Sequence, residues 1–394
     1  MNLVPEKTLT LVHRSLRFSS FCHSIPIRRI ADLNPPIYES CIARRKLGLD
    51  KSSSSLRVWL CGANLLFQLW GASFSTSRMI WAMFFLGFDH VPILDLGFVT
   101  YQSVGFGAGA LFLTFLWWKH DEYLAFLNLL ISGGVNGGKQ DGNNDDMFSR
   151  LIPWIIPAVY MQSFCNSFLF VRRRNGVQYI WSLLHPSWQN CKTFALITCY
   201  EFLIPMNTWN IVLFMFYTYS SYTHYLGVHL KKWANLQRRH PPVSVKACQR
   251  CTLSYRQMQI MTNMYHSCYS KYLVPAGLTF LLFLVSWMTF ATLRLAKSPL
   301  VSVSQPSFLI FPLGTFALFI LSFCVNSEGL LLFQGSTQLL WEWKRCRIMK
   351  RMKILQSFEP IKAQVGSLYY LKRTSPLIFT SNVVGLTINL LLTF

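Results

Sequence analysis

Apolar residues in this chain fall in long blocks separated by polar stretches. Seven blocks reach the ~17–25 residues that an α-helix needs to cross a bilayer core. They are Val58–Ser77, Ile93–Trp118, Leu151–Val171, Phe194–Tyr222, Tyr272–Leu293, Phe308–Phe333 and Leu377–Phe394. Two shorter runs, Met79–Phe88 and Tyr123–Ile131, cannot cross; each reads as a helical extension or an interfacial segment. Ser132–Asp146, rich in Gly, Asn and Asp, reads as a flexible loop. The pattern predicts an all-α membrane protein with seven transmembrane helices. The last helix has no charge and runs to the final residue, Phe394. Such a helix is expected to be buried in lipid or against other helices, copies of itself included.

Composition agrees with this class. Charged residues make up 13% of the 394 and hydrophobic residues 52%, whereas a soluble domain carries about 25% charge. The net charge of +22 raises the question of nucleic acid, but its distribution answers otherwise. With the amino terminus inside, the segments on the cytosolic side hold 30 Lys and Arg, and those on the outer side hold 7. That asymmetry predicts a cytosolic amino terminus and, with seven spans, an extracellular carboxyl terminus. The excess charge then faces anionic lipid head groups. One stretch, Arg172-Arg173-Arg174, violates the rule by falling outside. A G-protein-coupled receptor has the opposite sidedness. Met1–Arg57 lacks a signal-peptide core, and no Asn-x-Ser/Thr site occurs.

Neither metal nor catalytic chemistry is written in the motifs. Eleven scattered cysteines make no disulfide framework, and Cys248-Gln-Arg-Cys251 lacks the second ligand pair of a zinc site. There is no HExxH, Walker loop or GxSxG. The tight cluster His120-Asp121-Glu122 reads as a solvated helix end. The expectation is a protein that is not an enzyme and has no cofactor. Three acids fall within spans. Asp95 lies at the outer edge of the second, Glu201 in the outer third of the fourth and Glu328 in the inner third of the sixth. Acids there cost about 2.5–3.5 kcal/mol on insertion scales and so face a wet cavity or a partner. For Glu328 the expected partner is a basic group of Trp341–Lys353.

Three stretches carry a family resemblance. They are the polar run Leu253–Tyr265 before the fifth span, Ser336–Lys344 closing the sixth, and Gln356–Tyr370 before the short last helix. The arrangement resembles the arthropod chemoreceptor superfamily of gustatory and odorant receptors. The resemblance implies a ligand-gated, non-selective cation channel in the plasma membrane, formed by a homo- or heterotetramer around one pore. Its partners would be membrane lipids and a small-molecule tastant or odorant, with no nucleic acid. It implies this layout: 1–57 a cytosolic segment, 58–222 four spans with the ligand pocket, 223–271 and 334–373 a shared cytosolic anchor, 272–333 two spans, and 374–394 the pore helix. The usual gustatory ending is Thr-Tyr, five apolar residues, then Gln-Phe. Here Leu386-Thr387, Ile388–Leu392 and Thr393-Phe394 depart from it at three positions, and Asn389 interrupts the apolar five. The gustatory and odorant branches both stay open. A metabotropic receptor or a transporter is the alternative reading.

On the last helix Leu386, Asn389, Leu390 and Thr393 share one face by spacing. By resemblance Leu390 would be the gate and Thr393 would stand near the constriction; packing alone makes Leu386 and Leu390 ordinary core leucines. A pocket in the outer half should be aromatic with a few polar anchors. The candidates are Tyr101 and Gln102 on the second span, the stripe Tyr160, Phe164 and Phe168 on the third, Tyr200, Glu201 and Asn207 on the fourth, and Thr315, Phe316 and Phe319 on the sixth. The same stripe also fits simple helix packing.

Overall fold

A computed structural model describes residues 27–29, 49–51, 55–86, 93–135, 163–176, 179–296, 310–351, 353–367 and 369–393. A short antiparallel pair, β1 (Ile27–Arg29) with β2 (Leu49–Lys51), precedes the helices. Then come α1 (Ser55–Trp81), which widens into a π turn at Ala82–Leu86, α2 (Ile93–Trp118) and α3 (His120–Val135). Residues 163–172 form α4. After two 3-10 turns follow α5 (Cys191–Arg239), α6 (Val245–Tyr265) with a π turn at His266–Ser270, α7 (Leu273–Ala296) and α8 (Ile310–Arg345). The chain closes with α9 (Arg347–Arg351), a hairpin of β3 (Gln364–Val365) and β4 (Tyr369–Tyr370), and α10 (Ser375–Thr393).

Four of these helices are long and apolar enough to cross a membrane: Asp95–Trp118, Leu273–Ala296, Phe311–Arg345 and Ser375–Thr393. The expected span Leu151–Val171 lies mostly outside the described residues. Met79–Phe88 is a helical extension as far as Leu86, since α1 runs through it into the π turn.

Local signals set the ends. Asn190 caps α5 by accepting the Thr193 amide at 2.9 Å, and Ser244 caps α6 through Ala247 at 3.2 Å. α5 stops just before Pro241-Pro242, which cannot extend a helix. Its 49 residues span roughly 74 Å, more than twice the ~30 Å hydrocarbon core. The 36-residue α8 spans roughly 54 Å. Both are therefore longer than a bilayer core is thick.

Contacts give the helix directions. α5 and α8 run parallel: His224 meets Glu328, Gly227 meets Leu331 and Leu332, and Trp233 meets Trp343. α2 runs the same way, with Phe98 on Phe311 and Gln102 on Glu201. α1 runs against α2, pairing Thr76 with Ser103 and Gly62 with Trp117. α10 runs parallel to α7: their first turns line one cleft, Ser286 donates to the Val383 carbonyl, and Trp287 and Phe290 pack with Leu390 and Leu391. The end holding Glu201 and Asp95 is called apical below, and the end holding α3 and α6 basal.

One hydrophobic core runs from Phe98 and Phe311 down to Trp343 and Phe358. Its basal part is a buried layer of Tyr123 and Phe126 from α3, Tyr219 and Tyr222 from α5, and Tyr265 and Tyr269. Tyr269 donates to the Tyr123 hydroxyl at 2.8 Å, Tyr123 pairs with Thr218 at 3.1 Å, and Thr218 also meets Tyr269. Tyr123, Phe126 and Leu127 of α3 are therefore part of the basal core. The hairpin is bound to the same body. Ser270 donates to the Gln364 carbonyl at 2.8 Å, and Gly366, at φ 62, sends its amide to the Ser270 carbonyl at 2.7 Å. A residue with a Cβ is strained at that φ.

Candidate functional site

The apical half holds a buried polar group between α2 and α5. Gln102 of α2 donates to Glu201 of α5 at 3.4 Å, and both are buried. One position earlier, Tyr101 stacks on Trp209 with centroids 6.3 Å apart. Its buried hydroxyl makes no hydrogen bond of ordinary geometry. Tyr200 turns the other way, edge-on to Trp70 of α1 at 5.8 Å. Lower down, Thr208 donates to Gln68 at 2.7 Å and ties α1 to α5. Tyr101, Gln102 and Glu201 thus converge between α2 and α5.

Other expected pocket residues do not join them. Phe164 and Phe168 are 60% and 46% exposed, so this part of the α4 stripe faces away from the bundle. Phe316 is 67% exposed on α8, while Phe319 packs on the main core. Thr315 returns its hydroxyl to the Phe311 carbonyl of its own helix at 2.8 Å, and Asn207 is half-buried. Tyr160 lies outside the described residues. Below the polar group two apolar voids share Phe112 and Phe216 as a wall. They hold about 20 and about 40 Å³. That admits a few waters at most, against the ~300–1,000 Å³ of a drug-sized pocket.

The arginine triplet has a local explanation. Arg173 pairs with Asp95 at 3.4 Å, Arg172 lies over Phe168 at 5.6 Å and Arg174 over Trp181 at 5.9 Å. A second arginine element, Arg78, donates to Ser182 at 3.2 Å. These contacts cover an aromatic apical cluster of Phe170, Tyr179, Trp181 and Phe194. Cation–π contacts suit such amphipathic ends.

Glu328 does not pair with a basic group of Trp341–Lys353. It meets the His224 ring nitrogen at 2.7 Å, across the α5–α8 contact. The two helices run in parallel register, so Glu328 lies level with His224, whereas Trp341–Lys353 is three or more turns further on. His120 is buried rather than solvated, while Asp121 and Glu122 are exposed and Glu122 pairs with Lys119. Cys248 is buried near the start of α6. Among the described residues no three metal-ligating side chains gather.

α10 buries only Ser375, Val383 and Thr387. Leu390 and Leu391 pack against the cluster of Ala82, Leu96, Val99, Trp287 and Phe290. Leu386 is half-buried, and Asn389 and Thr393 are exposed. The four residues expected on one pore face are therefore divided: Leu390 packs on the helical core, and Asn389 and Thr393 are exposed. The uncovered side carries Ile378, Asn382, Gly385, Asn389 and Leu392, all exposed.

No family model and no curated protein sequence matches the chain. Solved structures do. The insect olfactory receptor OR5 from Machilis hrabei superposes with a TM-score of 0.62 at 12% identity over 98% of each chain. Its complex with eugenol does so at 0.62 and 11%, again over 98% of each. The chain has the fold of this insect olfactory receptor, and four of its described helices are long and apolar enough to cross a membrane.

Proposed function

We propose that the chain is one subunit of a chemosensory, ligand-gated cation channel in the plasma membrane, with seven spans, a cytosolic amino terminus and four copies around a pore. The observation that carries this reading is the uncovered side of α10. Ile378, Asn382, Gly385, Asn389 and Leu392 follow one another at spacings of four, three, four and three, which is a single helix face. Both asparagines of α10 lie on it. A face of this kind is costly against lipid and suits a wet lumen. Leu390 and Leu391 hold the helix to its protomer, and Leu392, one turn above Asn389, supplies an apolar ring that dewets when narrow. The fold shared with an olfactory receptor solved with eugenol supports a small organic ligand. Tyr101, Gln102 and Glu201 are the groups placed to hold it. Because the voids below them are small, binding must displace side chains such as Phe112 and Phe216. The reading is of a receptor rather than an enzyme.

Cells expressing the chain, alone and with related subunits, should pass cation current on exposure to a panel of tastants and odorants. In those channels a charged thiol reagent should change the current of Asn382→Cys and Asn389→Cys and leave Leu390→Cys unaffected. Reaction at Leu390→Cys alone would place the lumen on the other side of α10. A tag at Met1 should be reached only after permeabilisation; reaching it on intact cells would overturn the orientation.

A further inference from the structure

Of the three acids expected within spans, two have a basic partner in the bundle. Asp95 pairs with Arg173 at 3.4 Å, and Glu328 with a ring nitrogen of His224 at 2.7 Å. Glu201 is the exception. It is 3% exposed, yet among the described residues no Lys, Arg or His forms an ion pair with it. Its hydrogen bond from the Gln102 amide, at 3.4 Å, is long for such a bond. A carboxylate has room for about four donors. One held away from water needs a counter-charge or several donors, and the chain gives Glu201 neither. The surroundings are aromatic. Tyr200, next to Glu201 in the chain, stands edge-on to Trp70, and Tyr101, next to Gln102, stacks on Trp209. Aromatic rings of this kind attract ammonium groups. Below that stack, Trp209 and Gly105 border the void of about 40 Å³, and nothing lies within 4 Å of a Cβ added at Gly105.

We infer that this apical site, the ligand site of the receptor reading on which the inference rests, takes a protonated amine with a small apolar body. The ammonium group donates to the Glu201 carboxylate. Gln102 turns its amide nitrogen to Glu201, so its carbonyl oxygen can accept a second N–H, and the Tyr101 hydroxyl, which makes no hydrogen bond of ordinary geometry, a third. The apolar body passes the Tyr101–Trp209 stack toward the void beside Gly105. Folding has already taken Glu201 out of water, so on binding only the ligand's charge remains to be desolvated. A neutral alcohol of the same shape offers one O–H and leaves the carboxylate without a counter-charge. A hydrogen bond to a charged group is worth about ten- to a hundredfold in affinity, and the amine should exceed the alcohol by that factor.

The test is saturation binding of tritiated phenethylamine to the full chain, purified in an uncharged detergent at neutral pH. Unlabelled phenethylamine and hexylamine should displace the label, while phenethyl alcohol and hexanol should need at least about tenfold higher concentration. Glu201→Gln keeps the size of the side chain and its place beside Gln102 but removes the charge. It should lower phenethylamine affinity about ten- to a hundredfold and leave the affinity for tritiated phenethyl alcohol little changed. Glu122→Gln on α3, an exposed acid at the basal end, should bind the amine as the parent does. Displacement by the alcohols as effective as by the amines would mean a site for neutral ligands and overturn the inference. So would parental amine affinity in Glu201→Gln, or the absence of saturable amine binding. Should Glu201→Gln fail to reach a monodisperse state, the ratio of amine to alcohol affinity on the parent chain decides the matter. Binding is read without current. Current evoked by neutral compounds in a chain that binds no amine would leave the channel reading standing and remove this one; amine binding without current would do the reverse.

Discussion

The contact between α5 and α8 depends on two glycines, and replacing one should cost stability in a way that can be calculated in sign. A Cβ at Gly335 would lie 2.7 Å from the Gly227 carbonyl oxygen and 3.1 Å from the Lys231 amide nitrogen. One at Gly227 would lie 2.9 Å from both the Leu331 carbonyl carbon and the Leu332 nitrogen. Ordinary contact begins at 3.4 Å, so the first is short by about 0.7 Å. The opposing atoms are backbone and cannot swing aside. The helices must separate, or the α8 backbone must bend. Alanine gains about 1 kcal/mol of helix propensity over glycine. Overpacking costs about 1–3 kcal/mol, and here it falls toward the upper end because no side chain can yield. Gly335→Ala should therefore lose about 1–2 kcal/mol net. Gly385→Ala on α10 is the control: nothing lies within 4 Å of its added Cβ, so only the helix gain remains. Thermal melting of the purified protein in one detergent, followed by size-exclusion chromatography, reads both. Gly335→Ala should melt below the parent and Gly385→Ala at or above it. Since Gly227 and Gly335 share one contact, the double variant should cost less than the sum. A Gly335→Ala protein as stable as the parent would mean that the two backbones do not touch.

Two further outcomes are expected. Burial pushes the basal histidines His229 and His266 down to about 4 from 6.5. Between those values the unfolded chain binds more protons than the folded one, so stability should be complete above pH 6.5 and fall as the pH drops toward 4; His229→Phe and His266→Phe should flatten the melting profile in that window, and an unchanged slope would refute the assignment. At the apical site, Tyr101→Phe removes a hydroxyl without an ordinary hydrogen bond, so melting should stay within about 0.5 kcal/mol while the half-maximal ligand concentration rises about fivefold, as for one lost hydrogen bond. Glu201→Gln keeps the contact with Gln102 and should shift ligand sensitivity at near-normal surface expression; failure to reach the surface would make Glu201 a structural group.

Membrane class, the positions of most apolar helices and the charge asymmetry belong to the sequence by itself, because each is local. Block length and hydropathy decide whether a segment can cross, and α2 coincides with its apolar block, Ile93–Trp118. The tertiary structure decided what composition has no means to express, which is how each helix is turned about its axis and what lies level with it. Parallel register of α5 and α8 brings His224 to Glu328 and leaves the basic run Trp341–Lys353 out of reach. α3 enters the basal core because Tyr123 finds Thr218 and Tyr269, residues 95 and 146 positions away. Packing on Trp287 and its neighbours turns Leu390 inward and leaves Asn382 and Asn389 on the outer face. Spacing alone groups Leu386, Asn389, Leu390 and Thr393, since residues on one helix face cannot tell which side of it another helix will cover. That choice is made by the shapes of surfaces distant in the chain.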